Sequence, residues 1–66
     1  MQLMVNGEEM KFDEPMQVNE LLSAMGFEGK RVAVMVNEKI IRRDARDACM
    51  LGNGDRVEII SMVGGG

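Results

Sequence analysis

The chain has 66 residues and a formal net charge of −3, with eight methionines, one cysteine and no histidine, tryptophan or tyrosine. A chain of this length forms one small domain, and the single Cys49 excludes an internal disulfide. Without histidine, a zinc site would have to be built mostly from carboxylates, so we expect no metal site.

The composition also limits the classes of function. Ser23, Ser61 and Cys49 are the candidate nucleophiles, and none of them can have a histidine base, so we predict that the chain is not itself an enzyme. There is no secretory signal and no apolar run of about 20 residues, which indicates a cytoplasmic protein without a membrane contact. The acidic total charge and the presence of only two aromatic residues argue against nucleic-acid binding.

A β-hairpin is predicted at the start of the chain. Asn6-Gly7 lies between two alternating runs, and both central residues of a type I′ turn require a positive φ angle. A two-residue loop places Leu3 opposite Met10 and leaves Met4 on the other face of the sheet. The residues assigned to the core face are Leu3, Val5, Met10 and Phe12.

The next element is one short amphipathic helix, with an apolar stripe at Val18, Leu21, Leu22 and Met25. Gln17 and Glu20 match only half of the capping-box pattern at its start. Gly26 is placed to end the helix in a Schellman motif, in which Phe27 contacts Leu22.

Three further strands are predicted in the second half: residues 31–36, a short strand at residues 40–41, and residues 56–63. In the last strand, Val57, Ile59, Ser61 and Val63 alternate with Glu58, Ile60 and Met62. The pattern from 42 to 50 is weak, and we expect Ala45, Ala48 or Leu51 to contact the core.

Two features of this weakly patterned stretch could have a functional role. The charged run at residues 42–46 could steer an acidic partner, although a solvated turn is the favoured interpretation. Cys49 could take part in redox chemistry or sulfur relay, although a small apolar core residue is favoured.

The last strand runs directly into Gly64, Gly65 and Gly66. If the chain ends there, three residues without side chains carry the terminal carboxylate roughly 10 Å from the strand, thin enough to enter a narrow channel. We interpret this carboxylate as the reactive group. A frayed end or a remnant of expression is the alternative.

Three motifs carry a resemblance to a known family: Val18-Asn19-Glu20-Leu21-Leu22, the Gly54-Asp55 turn, and the run from Val57 through Ile60 to the final glycines. In these motifs and in length the chain resembles the ThiS sulfur carriers of thiamine biosynthesis. The resemblance implies an α+β, ubiquitin-like β-grasp fold, with a mixed sheet of four to five strands and one main helix on one face. Residues 1–63 would form the domain and residues 64–66 a flexible tail.

The resemblance also implies a mechanism. An adenylating, ThiF-like enzyme would use ATP to activate Gly66, a persulfide donor would supply sulfur, and thiazole synthase would consume the resulting thiocarboxylate. Gly64 and Gly65 would thread the partner's channel, and the carrier would bind no cofactor. The family fold places the last strand between the first and third, which predicts an apolar docking surface of Met4, Ala33, Met35, Ile60 and Met62.

Three alternatives stay open. The small subunit of molybdopterin synthase, a MoaD-like sulfur carrier, shares the fold and the ending. A ubiquitin-like interaction module would have an inert tail, and a protein modifier would use its carboxylate to form an isopeptide bond.

Overall fold

The computed structural model describes residues 1–62. The elements are β1 (Gln2–Val5), β2 (Glu8–Lys11), α1 (Val18–Ala24), β3 (Val32–Val36), β4 (Lys39–Ile41), a 3-10 helix (Arg43–Ala45) and β5 (Arg56–Ser61). The five strands form one mixed sheet in the order β2-β1-β5-β3-β4, so β5 is central, parallel to β1 and antiparallel to β3. This arrangement confirms the predicted class and the position of the last strand.

The first hairpin has the predicted turn and register. Asn6 and Gly7 have φ angles of 50° and 82°, and Leu3 pairs with Met10 across the two strands. The pairing continues past β2, because the Phe12 N–H donates to the Met1 carbonyl at 2.8 Å. The turn sequence therefore fixes which side chains of both strands face the core.

Helix α1 ends in the predicted Schellman motif. Gly26 adopts a φ of 82°, the Phe27 N–H donates to the Leu22 carbonyl at 2.8 Å, and the Gly26 N–H donates to the Ser23 carbonyl at 3.1 Å. These two bonds satisfy carbonyl groups that the end of a helix otherwise leaves without a partner. The chain can therefore leave α1 sharply and enter β3.

The start of α1 is held by bonds from its own sequence and from a distant segment. A Glu20 carboxylate oxygen accepts a hydrogen bond from the Gln17 N–H at 2.9 Å, as the capping pattern predicted. The Val18 N–H donates to the Cys49 carbonyl at 3.0 Å, and Gln17 forms an isolated β-bridge with Met50. This second contact ties the weakly patterned stretch to the helix, and the sequence did not indicate it.

The core lies between α1 and the sheet, and Leu51 is the residue of the weak stretch that enters it. Ser61 lies opposite Val32, on the same face as Ile59, as the alternation predicted, but its side chain is exposed where β5 ends. Val63, predicted as part of the same strand, lies outside the described residues. The buried apolar residues are Leu3, Val5, Val18, Leu21, Leu22, Val32, Val34, Val36, Leu51, Val57 and Ile59.

The charged run at residues 42–46 is only partly the solvated turn that we predicted. Arg42, Arg43 and Asp44 are exposed, but the Arg46 side chain is buried, with 8% of its surface accessible. Its Nη2 donates to the Val32 carbonyl at 2.7 Å. The last pair between β3 and β4 joins Val34 to Ile41, so Val32 lies beyond the end of β4. The guanidinium therefore bonds a carbonyl that β4 does not reach.

Candidate functional site

The candidate site is built around the end of β5. This strand pairs with every residue of β3, from Val36–Val57 to Val32–Ser61. The ladder continues one residue further, because the Met62 N–H donates to the Arg31 carbonyl at 2.9 Å. Gly64, Gly65 and Gly66, the predicted reactive tail, lie outside the described residues. The described part of the site is the surface around Met62.

Asparagine side chains from two turns hold β5 in place. Asn6 follows the last residue of β1, and its Oδ1 accepts a hydrogen bond from the Ile59 N–H at 2.8 Å. Asn37, in the β3–β4 turn, accepts a hydrogen bond from the Arg56 N–H at 3.0 Å. Both bonds satisfy amides that would otherwise lack a backbone partner at these positions. β5 is consequently held at its start and also past the point where β1 ends.

Four apolar side chains meet on the sheet face opposite the helix, and we call them the outer patch: Ala33, Met35, Ile40 and Ile60. Ala33 lies directly opposite Ile60, and Met35 lies directly opposite Ile40. Ile60 is 51% exposed and Ile40 is 75% exposed. Ile40 was not among the predicted docking residues, although its alternation with Ile41 in a short edge strand was the signal that could have identified it.

The structure does not bring all five predicted docking residues together. Met62, 56% exposed, follows two residues after Ile60 and lies at the border of the outer patch. Met4, 41% exposed, instead pairs with Arg56, four residues before Ile60 on β5. Four residues of extended chain span about 13 Å. Glu58 lies between them on the same face, so Met4 is separate from the outer patch.

Within residues 1–62, no three His, Cys, Asp or Glu side chains are grouped so that they could hold a metal ion. Cys49 is half-buried and packs against the core, as predicted for a small apolar residue. No helix in this part of the chain is long and apolar enough to cross a membrane.

Comparison with known proteins shows the family to which a chain with this geometry belongs. The sequence profile of the ThiS family matches residues 3–66. The chain belongs to the ThiS family. The match includes both the central strand and the three glycines, so the family pattern covers the described surface and the predicted tail together.

Solved structures agree with the family assignment. The crystal structure of the thiamine biosynthesis protein ThiS from Geobacter metallireducens superimposes with a TM-score of 0.85 and 39% sequence identity, covering 100% of both chains. The solution structure of the thiamine biosynthesis protein from the same organism gives a TM-score of 0.82 and covers 88% of that chain. The fold of the chain is accordingly the ubiquitin-like β-grasp of ThiS proteins.

Sequence relatives fall into two groups of different length. A thiazole synthase of Paramagnetospirillum magneticum is 36% identical over 66 residues, and the chain spans 20% of the length of that protein. The uncharacterized protein ycf40 of Porphyra purpurea is 31% identical over 64 residues, and the matched region covers 90% of its length. A ThiS-like unit therefore occurs both in a short chain and within a much longer one.

Proposed function

We propose that this chain is a sulfur carrier of thiamine biosynthesis that delivers sulfur as a C-terminal thiocarboxylate on Gly66. The observation that carries the proposal is the ThiS family match, which runs from residue 3 through the glycines to residue 66. The proposal requires Gly66 to be the last residue of the mature protein.

The chemistry explains why such a carrier needs partners. A carboxylate is a poor electrophile, so one of its oxygens must first become part of a leaving group. In the proposed sequence, an adenylating enzyme transfers the AMP group of ATP to the Gly66 carboxylate and pyrophosphate leaves. The outer sulfur of a persulfide donor then attacks the carbonyl carbon and AMP leaves. A second thiol cleaves the resulting acyl disulfide, which releases the Gly66 thiocarboxylate and leaves the donor sulfur in a disulfide with that thiol. The partners supply the catalytic groups, and the carrier supplies a reactive end and a surface to hold.

Thiazole synthase is the proposed acceptor of the sulfur. The supporting observation is the Paramagnetospirillum magneticum protein of that name, a fifth of whose length is matched by this chain. Two units that occur in one polypeptide commonly act on one another, because the covalent link gives each a high effective concentration for the other. We propose the same pairing here between separate chains.

The test of the proposal is activation of the terminal carboxylate. The purified chain is incubated with ATP and the adenylating enzyme from the same organism, and its intact mass is measured. We expect an adduct heavier by AMP and, after a persulfide donor and a thiol are added, a species heavier by the sulfur-for-oxygen difference. A variant lacking Gly66 is expected to give neither species while retaining the melting temperature of the parent. Equal activation of the shortened chain would refute the proposal.

We further propose that the outer patch is where the adenylating enzyme and thiazole synthase dock. Two exposed isoleucines beside a half-buried methionine on one face are suited to a surface that must fit more than one partner. Ile60→Asp is expected to weaken binding of both enzymes at least tenfold, as loss of an interface anchor does. Met4→Asp is the matched control, and it should bind normally because Met4 lies outside the patch. Equal weakening by both substitutions would contradict this assignment.

A further inference from the structure

A groove lined mostly by cations lies beside the end of β5, at the edge where β4 has already left the sheet. Its volume is about 320 Å³. It contains no acidic side chain among its lining residues, although the whole chain has a net charge of −3. The lining residues are Lys30, Arg31, Val32, Arg43, Arg46 and Met62.

The groove continues into a second one on the helix side. Lys30, Arg43 and Arg46 line both, and the second groove has a volume of about 360 Å³. The cations are thus spread along an extended, open surface instead of converging on one point. Such an arrangement suits a ligand that carries several negative charges in a row, because a single small anion would contact only part of the surface.

Arg46 is the buried member of this set. One of its nitrogens donates to the Val32 carbonyl, and its Nε is buried with no hydrogen-bond partner among the described residues. Neither of the ion pairs formed within residues 1–62 involves Arg46. A buried positive charge without an acidic partner is costly, and its field is less screened than that of a solvated charge. It therefore adds positive potential to both grooves.

The acidic side chains nearest in sequence form no ion pair with these cations. Glu28, the one acid that lines the second groove, accepts a hydrogen bond from the Ser23 hydroxyl at 3.0 Å. Asp47 accepts one from the Asn19 side chain, and Asp44 pairs with Arg42. None of the cations that line the first groove accordingly forms an ion pair within residues 1–62.

From the charge, the shape and the buried guanidinium that has no acidic partner within residues 1–62, we propose that this basic groove binds an acidic segment of a partner protein. Carboxylates of that segment would face Lys30, Arg31 and Arg43. Because Met62 also lines the groove, the bound segment would lie next to the point where the chain leaves the sheet. The inference rests on residues 1–62 and holds whether or not Gly66 is adenylated.

The experiment is a titration of the ¹⁵N-labelled chain at low salt with acetylated and amidated hexaglutamate, followed by amide chemical shifts. We expect the largest shifts at residues 30–32, 43–46 and 62. The double variant Lys30→Glu, Arg43→Glu should bind at least fivefold more weakly, since two exposed ion pairs of ordinary strength would be lost. The double variant Lys11→Glu, Lys39→Glu has the same net charge and should bind like the parent.

Four results would overturn the proposal. Equal weakening in both double variants would mean that only the net charge matters. Shifts spread over all the cations, or equally large shifts with hexaglutamine, would mean that the groove is no specific site. Displacement of the peptide by inorganic phosphate at similar concentration would identify a small-anion site instead. All four substituted side chains are exposed, so their replacement leaves the core intact.

Discussion

Two β-hairpin turns within residues 1–62 have similar positive φ angles but differ in the second turn residue, which is Gly7 in one and Glu38 in the other. In the first turn, Asn6 and Gly7 have φ angles of 50° and 82°. In the β3–β4 turn, Asn37 and Glu38 have φ angles of 50° and 71°. Glycine accepts such an angle freely, whereas a residue with a side chain is strained there. We therefore expect Glu38→Gly to stabilise the protein and Gly7→Glu to destabilise it.

The size of the effect follows from three contributions. An L-residue in the left-handed region costs about 1–2 kcal/mol. Glycine also makes the unfolded chain more flexible, and this offsets about 0.4–1 kcal/mol of the stability gained by removing the strain. Glu38 also forms an exposed ion pair with Arg56, with the charged atoms 3.7 Å apart, and such pairs contribute only a few tenths of a kcal/mol. The expected net gain for Glu38→Gly is about 0.5 kcal/mol, and the expected loss for Gly7→Glu is about 1 kcal/mol.

Urea and thermal unfolding followed by far-ultraviolet circular dichroism would measure both changes, because the chain has no tryptophan or tyrosine to report unfolding by fluorescence. In a domain of this size, 1 kcal/mol shifts the melting temperature by about 4–8 °C. Glu38→Ala is the control, since it removes the ion pair but keeps a side chain at a positive φ angle. A Cβ at Gly7 would meet no atom within 4 Å, so the second variant tests backbone conformation and not crowding. If Glu38→Gly were no more stable than Glu38→Ala, the reasoning about strain would be wrong.

Two further predictions concern hydrogen bonds that support the candidate site. Asn6→Gly keeps the turn geometry but removes the acceptor of the Ile59 N–H. We therefore expect a loss of about 1 kcal/mol in unfolding free energy and faster hydrogen exchange at the Ile59 amide. Unchanged exchange at Ile59 would contradict this. Arg46→Met keeps most of the side-chain volume but leaves the buried Val32 carbonyl without its partner, so we expect a loss of about 1–2 kcal/mol in urea unfolding. A gain in stability would instead mean that burying the charge costs more than its hydrogen bond contributes.

The parts of the fold that sequence reasoning predicted are those decided by neighbours in the chain. The register of the first hairpin follows from Asn6-Gly7, because a two-residue turn leaves no freedom in pairing. The end of α1 follows from Gly26 and Phe27, because the Schellman bonds connect residues only a few positions apart. The order of the strands in the sheet was predicted on another basis, because it came from the resemblance to ThiS proteins and not from the periodicity of the sequence.

The parts that were missed depend on residues far apart in the sequence. Arg46 is separated from Val32 by 14 positions, and Asn6 from Ile59 by 53. Nothing local distinguishes a buried arginine in a charged run from a solvated one; the difference arises because β4 stops short and leaves a carbonyl within reach. Met4 was grouped with Ile60 for a similar reason, because alternation gives the face of a residue but not its position along the neighbouring strand.

The outer patch and the basic groove differ in chemistry but meet at one residue. Met62 borders the patch, lines the groove and precedes the predicted tail. An apolar patch alone fixes how closely a partner approaches but lets the partner rotate on it, since dispersion and hydrophobic contacts have little directionality. Fixed charges on a second surface would remove that freedom and set the direction in which the chain leaves the complex.

For a reaction at a terminal carboxylate, that direction decides whether the carbonyl carbon reaches the attacking atom. On this argument, Lys30→Glu, Arg43→Glu should slow adenylation at saturating partner concentration, whereas Ile60→Asp should act mainly on binding; steady-state kinetics in which both variants change only the apparent KM would refute it.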